Sequence, residues 1–207
     1  MKQLTIAVPA YNSEMFLHIC LDSMAGADDR LEVIVINDGS KDKTLEVANS
    51  YAEKYPDQIR VIDKENGGHG SGINAALEVA TGRFYKVVDS DDWVETRNLK
   101  AILDALERSD ADAVVTGYRS VNIGSGNMIS YPVELPEGKT TPETSAYGAE
   151  LTMEEFSQIF DQMAIKVFLA DSQKPSMENV CAFIRPSVPT RNCVDCVLPN
   201  CLTALRT

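Results

Sequence analysis

Four short apolar runs, each followed by a polar or glycine-rich turn and then by a helical pattern, dominate the first half of the chain. The runs are residues 4–8, 31–36, 59–62 and 84–88. The near-continuous apolar character of the second run is typical of a parallel strand that is covered on both faces. Strands that alternate with helices form right-handed βαβ units. The sequence therefore predicts an α/β fold with a mostly parallel sheet and helices on both of its faces.

The helical patterns between these runs have recognisable ends. Asn12 or Ser13 is suited to cap a first helix, and a second helix is expected over residues 42–55. A third is expected over 73–80, with Gly82 as its C-cap. The apolar side of the first helix is expected to be formed by Phe16, Leu17, Cys20, Leu21 and Met24.

The pattern changes after a fifth apolar run at residues 113–118. Residues 121–133 contain two glycines and predict a hairpin or a loop. A capping-box spacing at 152–155 predicts a helix that reaches about residue 167. Residues 168–207 show neither strand alternation nor a useful helical stripe, and they hold four of the five cysteines. We therefore expect three parts: 1–120, 121–167, and an irregular tail, 168–207, that is rich in Cys and Pro.

Charge and composition narrow the class of protein. The formal net charge of −12 argues against a nucleic-acid binder, which needs a basic face for phosphates. No stretch approaches the length of a transmembrane helix, and the first apolar run is too short for a signal peptide. Cys193 and Cys196 have the spacing of a metal-binding pair, but free thiols in a reducing compartment explain the cysteines more simply. These features predict a cytoplasmic protein, with peripheral binding to the inner membrane face as the alternative.

Polar segments follow each of the four strands. They are residues 9–12, 37–40, 65–72 and 89–92. In open parallel sheets, ligands bind beyond the carboxyl ends of the strands, so these four segments are expected to meet at one edge. Their convergence predicts a ligand site more strongly than any one of them does.

The last of these segments places Asp89, Asp91 and Asp92 within four residues of one another. Carboxylates this close repel each other unless a cation lies among them. Hard oxygen ligands suit Mg²⁺ or Mn²⁺. The alternative is an acidic turn that caps the next helix.

The glycine-rich loop permits two interpretations. Residues 70–75 match the G-x-G-x-x-A pattern of dinucleotide-binding folds, but that pattern belongs on the first βα turn and here follows the third strand. A loop whose backbone N–H groups hold phosphate is the better interpretation. No GKS or GKT phosphate loop is present, which disfavours an ordinary nucleotide triphosphatase.

Five motifs occur in order along the first half of the chain. They are Val8-Pro9-Ala10-Tyr11-Asn12, Val35-Ile36-Asn37-Asp38-Gly39-Ser40-Lys41-Asp42, Asn66-Gly67-Gly68 with Asn74, Ala80-Thr81-Gly82, and Asp89-Ser90-Asp91-Asp92-Trp93. Together they resemble the family 2 glycosyltransferases of GT-A, Rossmann-like fold. The resemblance is firm over residues 1–120 and looser to about 167, and this chain lacks the arginine that commonly precedes Asn74 in the loop.

The resemblance implies roles for individual residues. Asp38 would accept a hydrogen bond from the base, which fits the imide N–H of uracil, although a turn residue that starts a helix is the alternative. Asp91 and Asp92 would hold Mn²⁺ or Mg²⁺ on the diphosphate. Binding of the nucleotide-sugar is assigned to Pro9, Ala10, Tyr11, Asp38, Asn66, Gly67, Gly68, Asn74, Asp89 and Ser90.

The implied activity is metal-dependent transfer of a sugar from a nucleotide-sugar, most simply a UDP-sugar, to a glycan, glycoconjugate or lipid-linked acceptor, with inversion. An inverting transfer needs a general base. No carboxylate after residue 150 has a convincing context for that role, so no base is assigned. Two alternatives stay open. One is a truncated or altered chain that binds donor but transfers poorly, and the other is a nucleotidylyltransferase, which would carry a basic glycine-rich loop near the first strand.

Overall fold

The structure is a computed structural model, and it describes residues 1–109, 113–116, 118–122, 125–131, 149–151 and 181–184. These residues divide into two compact units, one with residues 1–108 and the other with the described residues from 109 onward. The predicted helix over 152–167 lies outside the described residues, and so does the predicted tail except for 181–184. The predicted boundaries at 120 and 167 stay predictions.

The first unit alternates strands and helices throughout. The four strands pair in parallel in the order β3-β2-β1-β4, so the predicted parallel α/β sheet is confirmed. The elements are β1 (Leu4–Ala10), α1 (Leu17–Asp22), β2 (Leu31–Asp38), α2 (Thr44–Lys54), β3 (Ile59–Lys64), α3 (His69–Val79), β4 (Phe84–Val87) and α4 (Thr96–Arg108).

Helices cover both faces of this sheet, as predicted. Helix α3 packs on one face, where Ile73 and Ala76 lie against Ala7, Ile34 and Ile36. The chain moves in one direction across the sheet from β1 to β3 and in the opposite direction from β3 to β4. Because such crossovers are right-handed, α1 and α2 lie on the face opposite α3. Alternate strand residues point to opposite faces, and β1 and β2 are buried along their whole length.

The amino edge of the sheet is closed by a buried carboxylate. Glu32 accepts hydrogen bonds from the Thr5 hydroxyl (2.5 Å), the Thr81 amide (2.8 Å) and the Arg60 guanidinium (2.7 Å). The Gly82 amide donates to the same Thr5 hydroxyl at 2.8 Å. Burial alone would raise the pKa of Glu32, but these hydrogen bonds and the Arg60 charge outweigh it and hold the pKa below its ordinary value.

The predicted role of Gly82 as a helix C-cap is wrong. Helix α3 ends at Val79, and its C-cap, Ala80, is extended. A Cβ at position 82 would lie 2.6 Å from the Leu4 carbonyl carbon and 2.7 Å from the Thr5 hydroxyl. The turn before β4 therefore approaches β1 so closely that only glycine fits.

Two predicted helix starts are also wrong. Helix α1 begins at Leu17 after Phe16, which is half exposed, and no side chain caps it. The side chains of Asn12 and Ser13 instead form hydrogen bonds with residues of other loops. Helix α3 begins at His69, four residues before the expected start, because Gly68 takes a positive φ of 82° immediately before it.

The second unit is antiparallel where it is described. Strand β5 (Ala113–Thr116) pairs with β8 (Ala149–Leu151) and with β9 (Cys181–Ile184). A hairpin or a loop was predicted over 121–133, and the structure has a hairpin of β6 (Tyr118–Val121) and β7 (Met128–Tyr131) that begins three residues earlier. No helix within the described part of the chain is long and apolar enough to cross a membrane.

Candidate functional site

The four predicted polar segments meet at the carboxyl edge of the first unit. Strands β1, β2, β3 and β4 are parallel, so their carboxyl ends lie on the same side of the sheet. Residues 9–12, 37–40, 65–68 and 89–92 lie at or just beyond these ends. The order of the strands places the 37–40 turn beside the glycine-rich loop, and places the 9–12 segment beside the acidic turn at 89–92.

Asp38 is the buried polar centre of the β2–β3 side of this edge. Its Oδ1 accepts hydrogen bonds from the Lys64 ammonium (2.6 Å) and the Gly67 amide (2.9 Å), and its Oδ2 accepts one from the Gly68 amide (2.9 Å). Burial alone would raise the pKa of Asp38, but the bond from Lys64 and the two amides outweigh it, so the pKa is lowered. Asp38 is therefore held as a carboxylate.

This arrangement changes the interpretation of the glycine-rich loop. The amides of Gly67 and Gly68 were expected to face phosphate, and in the structure they donate to the chain's own Asp38. Gly39 takes a positive φ of 72°, and a Cβ there would lie 2.8 Å from the Asn66 amide nitrogen. The 39–40 turn and the loop are thus packed directly together around the Asp38 carboxylate.

Asn12 joins the β1 end to the 37–41 turn. Its amide donates to the Ser40 hydroxyl at 3.0 Å, and its side-chain oxygen accepts from the Lys41 amide at 2.8 Å. Asn12 has a positive φ of 52°, a conformation that asparagine tolerates better than most residues. The segment that contains Pro9, Ala10 and Tyr11 is therefore fixed to the turn that carries Asp38. Pro9 and Ala10 are buried, while Tyr11 is half exposed.

Ser13 connects this side of the edge to the acidic turn. Its hydroxyl lies 2.7 Å from the buried Ser90 hydroxyl, and its amide donates to the Thr44 hydroxyl at 2.7 Å. The Cys20 thiol donates to the Asp89 carbonyl at 3.6 Å. Burial, aided by the nearby carboxylates of the acidic turn, raises the pKa of Cys20, so this thiol is an inert packing group rather than a nucleophile.

The acidic turn presents its carboxylates to solvent. Asp91 and Asp92 are exposed, Asp89 is partly buried, and the His69 Nε2 atom lies 3.7 Å from Asp89 Oδ1. Among the described residues, no three His, Cys, Asp or Glu side chains are grouped so that they could hold a metal ion. Magnesium commonly binds to one or two carboxylates and completes its coordination with substrate phosphates and water. The exposed pair fits such a shared site and does not form a closed metal cage.

The sequence reasoning missed three residues at this edge. Lys64 and Ser71 surround Asp38 and the glycine-rich loop, and Ser13 holds the acidic turn through Ser90. Only the observed parallel pairing of β2 with β3 places Lys64 beside Asp38. The predicted strands ended at residues 36 and 62 and included neither residue. Asn74, which was predicted to bind donor, is exposed on α3 one turn beyond the loop.

Comparison with known proteins finds similarity to glycosyltransferases. A sequence profile described as Glycosyl transferase family 2 matches residues 5–168. The chain is 34% identical over 125 residues to the glycosyltransferase GlyA of Streptococcus pneumoniae, an alignment that covers 60% of this chain and 18% of GlyA. It is 32% identical over 125 residues to the poly(ribitol-phosphate) beta-N-acetylglucosaminyltransferase TarS of Staphylococcus aureus, which covers 59% of this chain and 22% of TarS.

A solved structure agrees with these matches. The crystal structure of S. aureus TarS 1–349 in complex with UDP-GlcNAc is similar to this chain with a TM-score of 0.53 and 31% identity, over 60% of this chain and 36% of that one. The matched part of the chain thus spans about a fifth of the two curated relatives.

Proposed function

The chain belongs to glycosyl transferase family 2 and has the GT-A fold, and on that premise we propose that it transfers a sugar from a UDP-sugar to a glycan or glycoconjugate acceptor, with inversion. One observation carries the proposal. A buried, ionised Asp38 and an exposed acidic turn lie at the same edge of one parallel sheet and are joined through Asn12 and Ser13. The resemblance to TarS, solved with UDP-GlcNAc, favours a uridine donor.

The base-binding side of the proposal rests on Asp38. A carboxylate oxygen accepts two hydrogen bonds, and the described contacts give Oδ2 a single donor, the Gly68 amide. An ionised carboxylate has no proton to donate, so it can pair with the imide N–H of uracil but not with the unprotonated ring nitrogen of cytosine. Pro9, Ala10 and Tyr11 would line the pocket for the base and ribose, as the family resemblance implies.

The diphosphate side rests on the acidic turn. We assign Asp91 and Asp92 as the residues that would hold Mn²⁺ or Mg²⁺ together with the donor phosphates, with Asp89 and Ser90 toward the ribose. Such an ion offsets the charge of the departing nucleoside diphosphate. The two exposed carboxylates alone offer too few ligands for tight binding. The metal should therefore bind with the nucleotide and only weakly without it.

The proposed transfer is a single displacement. The acceptor hydroxyl oxygen bonds to the anomeric carbon as the bond from that carbon to the diphosphate oxygen breaks, and the hydroxyl proton passes to a general base. We assign no described residue as that base, and the carboxylates considered for it from the sequence lie outside the described residues. What the described residues do is orient the donor, because Asn12 and Ser13 fix the two sides of the edge to each other.

Calorimetry with UDP and CDP tests the donor assignment. Leaving a buried carboxylate lone pair opposite an acceptor costs about 1–3 kcal/mol, so UDP should bind roughly 5- to 150-fold more tightly than CDP. Asp38→Asn replaces an acceptor by a side chain that can also donate, and it should reduce this preference. Equal affinities for the two nucleotides in the unaltered chain would contradict the role of Asp38.

Transfer is tested separately with UDP-GlcNAc. Formation of a glycoside in the presence of a mixed set of glycan acceptors would support the whole proposal, and NMR of the product would give its anomeric configuration. Donor binding without any transfer would indicate instead a chain that binds donor but is catalytically incomplete. The absence of both binding and transfer with every UDP-sugar tested would overturn the proposal.

A further inference from the structure

Lys64, the last residue of β3, has an ammonium group that donates three hydrogen bonds within the protein. It donates to Asp38 Oδ1 (2.6 Å), to the Glu65 carbonyl (2.6 Å) and to the Ser71 hydroxyl (2.9 Å). An ammonium has three N–H donors, so these three acceptors use all of them. Lys64 is therefore not available to a ligand as a donor. What it can do is hold the groups that surround it.

The loop is built closely around this ammonium. A Cβ on Gly67 would lie 3.0 Å from Lys64 Nζ and 2.5 Å from the Ser71 hydroxyl, so a side chain there would displace these two groups. Ser71 is in the first turn of α3, and its amide is hydrogen-bonded to the Gly68 carbonyl. Lys64 thus joins the end of β3, the first turn of α3 and the Asp38 carboxylate at one atom.

The same ammonium is one of three donors that hold the Asp38 carboxylate. Lys64 and the Gly67 amide occupy both acceptor positions of Oδ1, and the Gly68 amide occupies one position of Oδ2. Donors on both oxygens fix the rotation of the carboxylate plane. The described contacts give Oδ2 one donor, so one of its acceptor positions is left for a ligand.

We propose that Lys64 is a positioning residue for base selection: it fixes the Asp38 carboxylate so that a single acceptor position faces the base, which favours an imide N–H over an unprotonated ring nitrogen. This inference rests on the proposed function, in which Asp38 contacts the base of the donor. Lys64 acts through Asp38 and does not touch the nucleotide. Its removal should therefore change the ratio of UDP to CDP affinity as well as the affinity for UDP.

Lys64→Met tests this by calorimetry with UDP and CDP in the presence of Mg²⁺. It removes a charge-assisted hydrogen bond, and UDP should bind about 10-fold more weakly while CDP changes little. The UDP-to-CDP ratio should fall by the same factor. Ser71→Ala leaves the Lys64–Asp38 pair in place but removes one of its anchors, so it should reduce the ratio in the same direction by a smaller factor.

Lys100→Met is the matched control. Lys100 on α4 also pairs with an aspartate, Asp104, at 3.2 Å, and it is largely exposed. Asp104 in turn bonds to Arg30, just before β2 and hence at the opposite edge of the sheet. This substitution removes the same charge and a similar pair, so it should leave the UDP-to-CDP ratio unchanged.

The outcomes separate this inference from the function beneath it. An unaltered chain that binds UDP and CDP equally removes the base-binding role of Asp38, and the inference with it. A preference for UDP that persists in Lys64→Met overturns the inference alone. If Lys64→Met is unfolded by circular dichroism, Ser71→Ala and Lys64→Arg decide the question. Lys64→Arg keeps the charge but cannot direct three donors from one atom, so an undiminished ratio in both variants overturns the inference.

Discussion

Gly82→Ala should destabilise the protein through a single methyl group. The turn before β4 lies against β1, the second strand from one side of the parallel sheet in the first unit. An added Cβ would lie 2.6 Å from the Leu4 carbonyl carbon, whereas ordinary contact begins at 3.4 Å, and it would also meet the Thr5 amide nitrogen. The turn or the strand must therefore move by at least about 0.8 Å. Since the obstacle is backbone, no side-chain rotation relieves the overlap.

The magnitude follows from what that movement breaks. Overpacking a close-packed site costs about 1–3 kcal/mol. Retreat of the turn also lengthens two hydrogen bonds, from the Gly82 amide to Thr5 and from the Thr81 amide to Glu32, each worth about 1 kcal/mol. We expect a loss of about 3–5 kcal/mol in the free energy of unfolding, out of roughly 5–15 kcal/mol for a typical domain.

Urea unfolding followed by far-UV circular dichroism measures this loss, and Gly70→Ala is the matched control. Gly70 lies in α3, with no heavy atom within 4 Å of its added Cβ. Alanine is the better helix former by about 1 kcal/mol, so the control should be slightly stabilised. The same chemical change should thus have opposite effects at the two positions. A Gly82→Ala variant within about 0.5 kcal/mol of the unaltered chain would refute the reasoning.

Three further outcomes are expected. The Arg30 guanidinium lowers the pKa of Asp28 to about 2, below its ordinary 3.8. As the pH drops from about 4 towards 2, the Asp28 carboxylate is protonated in the unfolded chain before it is protonated in the folded protein, so the free energy of unfolding should fall. A urea midpoint that is constant over this range would contradict this. Asp92→Asn should weaken nucleotide binding only when Mn²⁺ is present, measured with and without EDTA. Ser13→Ala loses the contact with Ser90 and should weaken UDP binding about 3- to 10-fold, with an unchanged affinity counting against that link.

The sheet and the convergence of the polar segments at its carboxyl edge could be predicted because both depend on local patterns. Buried parallel strands require continuous apolar runs, and parallel strands bring their carboxyl ends to one edge wherever the intervening helices begin. The helix starts were harder to predict. Asn12 and Ser13 are good caps by composition, yet each makes a contact with a residue 29 or 77 positions away. Such partners are decided by the packing of loops, which no local pattern contains.

Lys64 and Gly82 show the same limit at single positions. A lysine that ends a strand is usually solvated, and only the pairing of β2 with β3 reveals that it lies beside Asp38. A glycine after a helix is usually a C-cap, and only the register of β1 with β4 shows that it faces Leu4 and Thr5. Lys64 was missed and Gly82 was given the wrong role, because the partners of both residues lie on a neighbouring strand.

The two sides of the carboxyl edge of the first unit differ in how their carboxylates are surrounded. On the β2–β3 side, Asp38 is buried and receives three donors from the chain itself, so its charge is balanced before any ligand arrives. On the β4 side, Asp91 and Asp92 are exposed, within a chain whose formal net charge is −12. Lys64, the cation that pairs with Asp38, also donates to the Glu65 carbonyl and the Ser71 hydroxyl. An anionic diphosphate beside two carboxylates calls for a compensating positive charge, which is why we propose a divalent ion on that side and recognition of the base on the other.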